Sequence, residues 1–146
     1  MTKNFEILSL NISKEKGTAK SPVPRLVLVT DHGIEGDAHA GPGARQVSLL
    51  ADEDIDTMRA RLSTLVPGDF AENITTRGID LASLPVGTRL MIGDVVLEIS
   101  QIGKECHSGC AIREKTGDCV MPRRGVFARV VEGGEITDED TGRYDI

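Results

Sequence analysis

The three cysteines of this 146-residue chain, Cys106, Cys110 and Cys119, fall within 14 residues, and His107 lies among them. The thiolate form of cysteine is the nucleophile, and neighbouring cations favour it. Cys106 stands between Lys104 and His107, directly after a predicted strand. A buried, inert thiol is the alternative for any one cysteine, but the clustering favours chemistry. We therefore predict that Cys106 is the reactive thiol, able to carry sulfur as a persulfide.

The same segment supports a second interpretation, a metal site. Zinc takes thiolate and imidazole ligands, and four candidates stand here: Cys106, His107, Cys110 and Cys119. The spacing lacks the paired C-x-x-C knuckles of common zinc modules, and two adjacent residues do not easily face one ion. The sequence leaves both interpretations open and favours the covalent role.

A second group of polar residues stands in a long glycine-rich loop and in a short predicted strand. Asp37 and His39 are two residues apart and share a face if their segment is extended, although an Asp side chain bonded to its own backbone explains the motif equally well. Asn and Glu are unusual inside a strand, where a barrel-rim hydrogen-bond pair is the alternative to ligand contact. We predict that five residues converge on one pocket near Cys106 and bind a cofactor: Asp37, His39, Arg45, Glu72 and Asn73.

The cysteine segment is also the basic part of an acidic protein. The chain has a net charge of −6, yet residues 101–131 carry six basic against three acidic side chains. Arg123 and Arg124 stand beside a turn there, and two guanidinium groups can bind a phosphate bidentately; a solvated charge pair is the alternative. The negative charge and the 3% aromatic content argue against a nucleic-acid partner.

Short strands dominate the predicted secondary structure. The hydrophobic patterns predict one clear helix, Ala51–Leu62, capped by Asp52 and apolar along one face. Gly93-Asp94 predicts a two-residue hairpin turn, and strands are predicted over residues 5–12, 25–30, 46–50, 72–76, 88–92, 95–102 and 125–131. We expect one domain over residues 1–146: mainly β, a closed or partly closed barrel of about seven strands with one or two inserted helices.

Cysteine usage and hydropathy suggest a cytoplasmic protein. An odd number of clustered cysteines does not fit a secreted disulfide framework. No apolar run approaches the ~20 residues that a membrane helix needs, and the N-terminal residues lack the basic and apolar regions of a signal peptide. We therefore expect no membrane partner.

Four segments, taken in this order, resemble the MOSC (molybdenum cofactor sulfurase C-terminal) domain family. They are GIEGDAHAG (Gly33–Gly41), RQVSLL (Arg45–Leu50), the stretch from Gly68 to Cys106, and GDCVMPRRGVFARV (Gly117–Val130). The resemblance covers residues 5 to 136 and is nearest to the small stand-alone bacterial members. It implies a strand-rich barrel and a sulfur-carrying cysteine after the strand that follows the Gly-Asp hairpin, which here is Cys106.

The resemblance also implies partners and a cofactor. It associates the domain with molybdenum cofactor maturation, without requiring that the cofactor be bound. The sulfur donor would be a separate cysteine desulfurase that holds pyridoxal phosphate. The acceptor would be a molybdoenzyme or a cofactor-biosynthesis protein, with the sulfur passing to a metal–sulfur or molybdopterin group. One departure is Arg124, which stands where the family pattern has an acidic residue and so leaves the acceptor open.

Two classes of function follow from these observations. In the first, the protein is a sulfur carrier or sulfurtransferase, and Cys106 does covalent work. In the second, it is a binding module for molybdenum cofactor or for a metal held by Cys and His, without covalent sulfur transfer.

Overall fold

Seven strands close into a barrel in the computed structural model, which describes residues 2–15, 19–103 and 124–145. In chain order the elements are β1 (Thr2–Ile12), β2 (Ser21–Val23), β3 (Arg25–Val29), β4 (Gly33–Ile34), β5 (Val47–Ala51), α1 (Asp52–Arg59), β6 (Ile74–Arg77), a 3-10 turn (Leu81–Ser83), β7 (Arg89–Ile92), β8 (Val95–Ile102), β9 (Val126–Glu132), β10 (Gly134–Thr137) and β11 (Thr141–Asp145). The barrel order is β1-β11-β7-β8-β9-β5-β6, and β6 pairs with β1 to close it. The predicted closed, mainly β barrel is confirmed.

The barrel interior is filled by apolar side chains that alternate along the strands. β8 is typical: Val95, Leu97 and Ile99 are buried, and the residues between them are half-buried. The predicted hairpin joins β7 to β8, with Ile92 opposite Val95. Gly93 takes a φ of 57° there, a left-handed conformation that glycine adopts at no steric cost. A three-stranded sheet of β10, β3 and β4 lies beside the barrel, and its inward side chains join the same core.

Helix α1 covers the outer wall of the barrel. Ile55 and Met58 are buried in a second apolar cluster, and Leu62 packs against that cluster after the helix has ended. The predicted apolar face is therefore confirmed, but the helix is shorter than predicted. The predicted cap is wrong: Ala51 occupies the N-cap, and the Asp52 carboxylate instead binds two arginines, one in α1 and one in β6. Among the described residues no helix is long and apolar enough to cross a membrane.

Four short strands were not predicted from the sequence: β2, β4, β10 and β11. The most important is β11, because it pairs with both β1 and β7 and so closes the barrel. Only Gly142 and Tyr144 of its five residues are buried. A Cβ at Gly142 would stand 2.1 Å from the Phe5 ring, so the closure depends on a glycine under an aromatic ring. This requirement comes from the packing of β11 against Phe5, and the sequence of β11 alone does not reveal it.

Candidate functional site

Asp37 is a buried carboxylate in the loop between β4 and β5. Its Oδ1 atom lies 2.7 Å from the Lys20 ammonium and accepts a hydrogen bond of 3.1 Å from the Ser13 amide, while Oδ2 accepts one of 3.1 Å from the His39 amide. Burial alone would raise the pKa of Asp37, but the Lys20 ammonium and the amides of Ser13 and His39 hold it well below its usual value. Asp37 is therefore a carboxylate anion at neutral pH. The Asp37 side chain does bind the backbone two residues on, as the turn interpretation predicts. It also forms an ion pair with Lys20.

Lys20 is the residue that sequence reasoning missed. Its side chain is fully buried, and its Nζ atom also lies 3.0 Å from His39 Nδ1. A lysine in a polar loop is ordinarily exposed, so its residue type gave no signal. The Lys20 backbone amide donates to the Gly68 carbonyl at 2.8 Å. A Cβ at Gly68 would stand 2.2 Å from the Lys20 carbonyl oxygen, so the close approach of these two segments requires glycine.

The segment from Asp31 to Gln46, which contains β4 and carries Asp37 and His39, is anchored at both ends. At its start, the Asp31 amide donates to the Val130 carbonyl at 2.9 Å. At its end, the buried Gln46 side chain donates to Asp31 Oδ1 at 3.0 Å and accepts from the Val130 amide at 3.0 Å. These contacts hold a long loop in one conformation, as a binding site needs.

Glu72 lies just before β6 rather than inside it, and it is completely buried. The Thr75 hydroxyl donates to Glu72 Oε2 at 2.6 Å, and Oε1 has no hydrogen-bond partner among the described residues. Burial raises the pKa of Glu72 above its usual value, and the hydrogen bonds from Thr75 and from nearby backbone amides offset this only in part. The group is therefore stabilised as a neutral carboxylic acid.

Asn73 ties two barrel strands together. Its Oδ1 atom accepts hydrogen bonds from the Ser48 amide at 3.0 Å and the Ser48 hydroxyl at 3.1 Å, and its Nδ2 donates to the Asn11 carbonyl at 3.2 Å. The Asn11 side chain in turn donates to the Glu72 carbonyl at 3.2 Å. These contacts match the barrel hydrogen-bond interpretation, and ligand binding by Asn73 stays a prediction.

Arg45 lies on the outer wall of the barrel. Its guanidinium stands 5.4 Å from the centre of the Phe127 ring, and its Nε donates to Gln101 Oε1 at 3.4 Å. Gln101 is followed closely by Gly103, whose amide donates to the Gly125 carbonyl at 2.6 Å. We call this Gly103–Gly125 pair the loop neck, because the chain between the two residues carries all three cysteines.

The remaining predicted site residues divide into two groups. Arg124 is described: its guanidinium binds Asp54 at 3.0 Å and also binds Asp80, and the Asp54 carboxylate raises its pKa above the usual value. Phosphate binding by Arg124 stays a prediction. The others lie outside the described residues: Cys106, His107, Cys110, Cys119 and Arg123. Within residues 2–15, 19–103 and 124–145, no group of three His, Cys, Asp or Glu side chains could hold a metal.

The structure thus brings together two pairs of predicted residues and leaves one apart. Asp37 and His39 share the Lys20 ammonium, and Lys20 joins the segment that leads to Glu72 and Asn73 through Gly68. Arg45 stands at the loop neck instead. Strand pairing connects the loop neck to Asn73. Gln101 pairs with Phe127 across β8 and β9, and Phe127 pairs with Ser48 of β5, whose hydroxyl donates to Asn73.

Comparison with known proteins places this fold in a family. The MOSC domain model matches residues 35–142. No curated protein matches the sequence. Among solved structures, the YuaD protein from Bacillus subtilis has a TM-score of 0.83 at 19% identity, covering 99% of this chain and 97% of that one.

Two YiiM structures share the same fold. YiiM from Geobacillus stearothermophilus has a TM-score of 0.76 at 20% identity, covering 97% of this chain and 75% of that one. YiiM from Escherichia coli has a TM-score of 0.70 at 17% identity, covering 99% and 70%. The family model spans most of the sequence, and its match includes β5 to β10 and the loop neck. The chain therefore belongs to the MOSC domain family.

Proposed function

We propose that this MOSC domain carries sulfur as a persulfide on Cys106 and passes it to an acceptor associated with molybdenum cofactor maturation. The observation that supports this most is the loop neck. The Gly103–Gly125 hydrogen bond anchors the cysteine-bearing segment on two paired barrel strands beside an exposed arginine, Arg45. Cys106 follows Gly103 by three residues, and a rigid attachment point is what a covalent group needs.

The loading step is a thiol exchange that needs no outside oxidant. The Cys106 thiolate attacks the outer sulfur of a persulfide on the donor, a cysteine desulfurase that holds pyridoxal phosphate. A sulfur–sulfur bond forms at Cys106, and the bond to the donor's cysteine breaks, releasing that cysteine as a thiolate. The outer sulfur on Cys106 is then open to attack by an acceptor, either a molybdoenzyme or a cofactor-biosynthesis protein.

The residues around the site fit molybdenum cofactor only in part. The cofactor carries a phosphate, and the exposed Arg45 guanidinium is a suitable partner for it. His39, which is partly exposed, would supply a second polar contact. Asp37 does not fit as a direct ligand, because its carboxylate is buried against Lys20, and Glu72 is completely buried. In this proposal Arg45 and His39 would hold the cofactor, which would supply the molybdenum and the molybdopterin sulfurs.

The test is intact mass spectrometry of the full chain after incubation with a cysteine desulfurase and cysteine. We expect a gain of the mass of one sulfur atom, reversed by a thiol reductant. Cys106→Ser should lose this gain, while the matched controls Cys110→Ser and Cys119→Ser should keep it. Sulfur loading of Cys106→Ser at the wild-type rate would contradict the assignment.

A binding module without covalent transfer is the second candidate. The buried charge pair of Lys20 and Asp37 next to the partly exposed His39 favours it, since such pairs often lie at ligand sites. Elemental analysis of the purified protein for molybdenum and zinc distinguishes the two functions. Stoichiometric metal in a protein that accepts no sulfur would support the binding module.

A further inference from the structure

The Lys20 ammonium is surrounded by hydrogen-bond acceptors. Its Nζ lies 2.7 Å from Asp37 Oδ1, 3.0 Å from His39 Nδ1 and 3.2 Å from Ser13 Oγ. The Ser13 hydroxyl donates its own proton to the Glu15 carbonyl at 3.1 Å, so its oxygen is left to accept. An ammonium group donates three hydrogen bonds and accepts none. Lys20 is therefore the donor toward all three groups.

The direction of the Lys20–His39 bond decides which ring nitrogen of His39 carries the proton. In a neutral imidazole one nitrogen donates and the other accepts. His39 Nδ1 lies 3.0 Å from the Lys20 ammonium and 3.7 Å from Asp37 Oδ2, which is too long for a hydrogen bond. Nδ1 therefore accepts from Lys20, and the proton lies on Nε2. The side chains of Lys20 and Asp37 are completely buried, whereas 27% of the His39 side chain is exposed. The His39 ring is thus the part of this cluster that reaches solvent, whereas its two charged neighbours do not.

We propose that Lys20 is a positioning residue that fixes His39 as the Nε2–H tautomer, so that His39 offers a hydrogen-bond donor to an oxygen of an anionic ligand. The assignment of a ligand to this place rests on the proposed function, whereas the tautomer does not. With the proton on Nε2 and Nδ1 bound to Lys20, neither ring nitrogen has a free lone pair for a metal or for a substrate proton. His39 is therefore a recognition residue in this site and not a base or a metal ligand.

Nitrogen-15 NMR of the full chain, labelled at histidine, reads the tautomer directly. Long-range proton–nitrogen spectra distinguish a protonated ring nitrogen from an unprotonated one. We expect an unprotonated Nδ1 and a protonated Nε2 for His39, with signals assigned by His39→Gln. His32 is an internal control, since it is exposed in the turn between β3 and β4. A protonated Nδ1 in His39, or tautomer averaging equal to that of His32, would overturn the proposal.

Two variants test whether Lys20 is the cause. Lys20→Met should convert His39 to a mixture of tautomers, while Lys14→Met, which changes an exposed lysine nearby, should not. Since Lys20→Met leaves Asp37 unpaired and can unfold the chain, the double variant Lys20→Met/Asp37→Asn removes both charges at once. An unchanged His39 tautomer in either folded variant would refute the role of Lys20.

The ligand chemistry has its own readout. Inorganic phosphate, added at constant pH and ionic strength, should shift the His39 Nε2–H signal more than the signals of His32. Equal shifts for the two histidines would refute the oxyanion assignment. None of these measurements involves sulfur loading, so a failure of persulfide formation on Cys106 and a failure of this proposal are distinguishable.

Discussion

Two carboxyl groups are buried in segments that bind the same stretch of chain, through Ser13 for Asp37 and Asn11 for Glu72, and they are accommodated in opposite ways. Asp37 keeps its charge, because the Lys20 ammonium and two backbone amides bind it. Glu72 has one hydroxyl donor, from Thr75, and burial favours its neutral form. The same chemical group therefore has its pKa lowered in one segment and raised in the other. What decides between them is whether a cation is buried with the carboxyl group.

The difference also separates recognition from support. The Asp37 carboxylate fixes Lys20, and Lys20 orients the partly exposed His39, so this charge acts on a group that a ligand can reach. Glu72 and its neighbour Asn73 are completely buried. The Asn73 side-chain amide forms hydrogen bonds to the backbone of two barrel strands, at Ser48 and Asn11. We infer that the Asp37 region is built for binding and the Glu72 region for holding the barrel.

The largest expected effect is the loss of one partner of the buried charge pair. Lys20→Met and Asp37→Asn should each lower the free energy of unfolding by about 3–5 kcal/mol, because each leaves an uncompensated buried charge. The double variant should recover much of that loss, since it buries no lone charge. Denaturant unfolding of all three variants measures this coupling. Additive losses in the double variant would show that Lys20 and Asp37 do not stabilise each other.

Removing the Asn73 amide should cost less. Asn73→Ala leaves the Ser48 amide and the Asn11 carbonyl without this side-chain partner, and an unsatisfied buried polar group costs about 1–3 kcal/mol. Asn4→Ala, at an exposed position of β1, is the matched control and should change the free energy of unfolding by less than about 0.5 kcal/mol. Asn73→Ala should also leave the His39 tautomer unchanged, and a change there would break the division between the two regions.

The sequence predicted much of the fold because most barrel strands carry their own signal. Val95, Leu97 and Ile99 alternate with half-buried residues, so the inward face of β8 can be recognised without any neighbour. β11 carries no such signal, since its role depends on Gly142 fitting under the Phe5 ring. Closure of a barrel is a long-range property, and the residues that permit it look like an ordinary polar tail.

The site was predicted less completely, for a related reason. The Asp37 and His39 motif is local, and its two residues do lie together. Their partner Lys20 is 17 residues from Asp37, and only the fold shows that its side chain is buried. Glu72 and Asn73 stood out as unusual polar residues, but their type alone could not separate ligand contact from barrel support. Hydrogen-bond partners and burial, which the sequence does not list, make that distinction.

The third prediction concerns acid. The folded-state pKa of Asp37 lies below its unfolded value of 3.8, so its contribution to stability is present above that pH and is lost as the pH falls. A single proton changes the free energy of unfolding by at most about 1.4 kcal/mol for each pH unit. Unfolding measured at several pH values below 4 should show this loss in the wild type and a shallower one in Lys20→Met/Asp37→Asn. If the free energy of unfolding falls equally steeply with pH in the two proteins, a group other than Asp37 is responsible for the acid sensitivity.

An effect of the opposite sign is expected from Glu72. Its folded-state pKa lies above the unfolded value of 4.5, so the folded protein binds the extra proton. Its contribution to stability is complete below pH 4.5 and is lost as the pH rises toward the folded-state pKa, by at most about 1.4 kcal/mol for each pH unit. Glu72→Gln keeps the shape and stays neutral, so this variant should remove the loss and be no less stable than wild type at neutral pH. The measurement is the free energy of unfolding from pH 4.5 to 8 for wild type, Glu72→Gln and the exposed control Glu6→Gln. If Glu72→Gln instead keeps the wild-type pH profile, Glu72 is ionised in the folded protein, and the contrast with Asp37 fails.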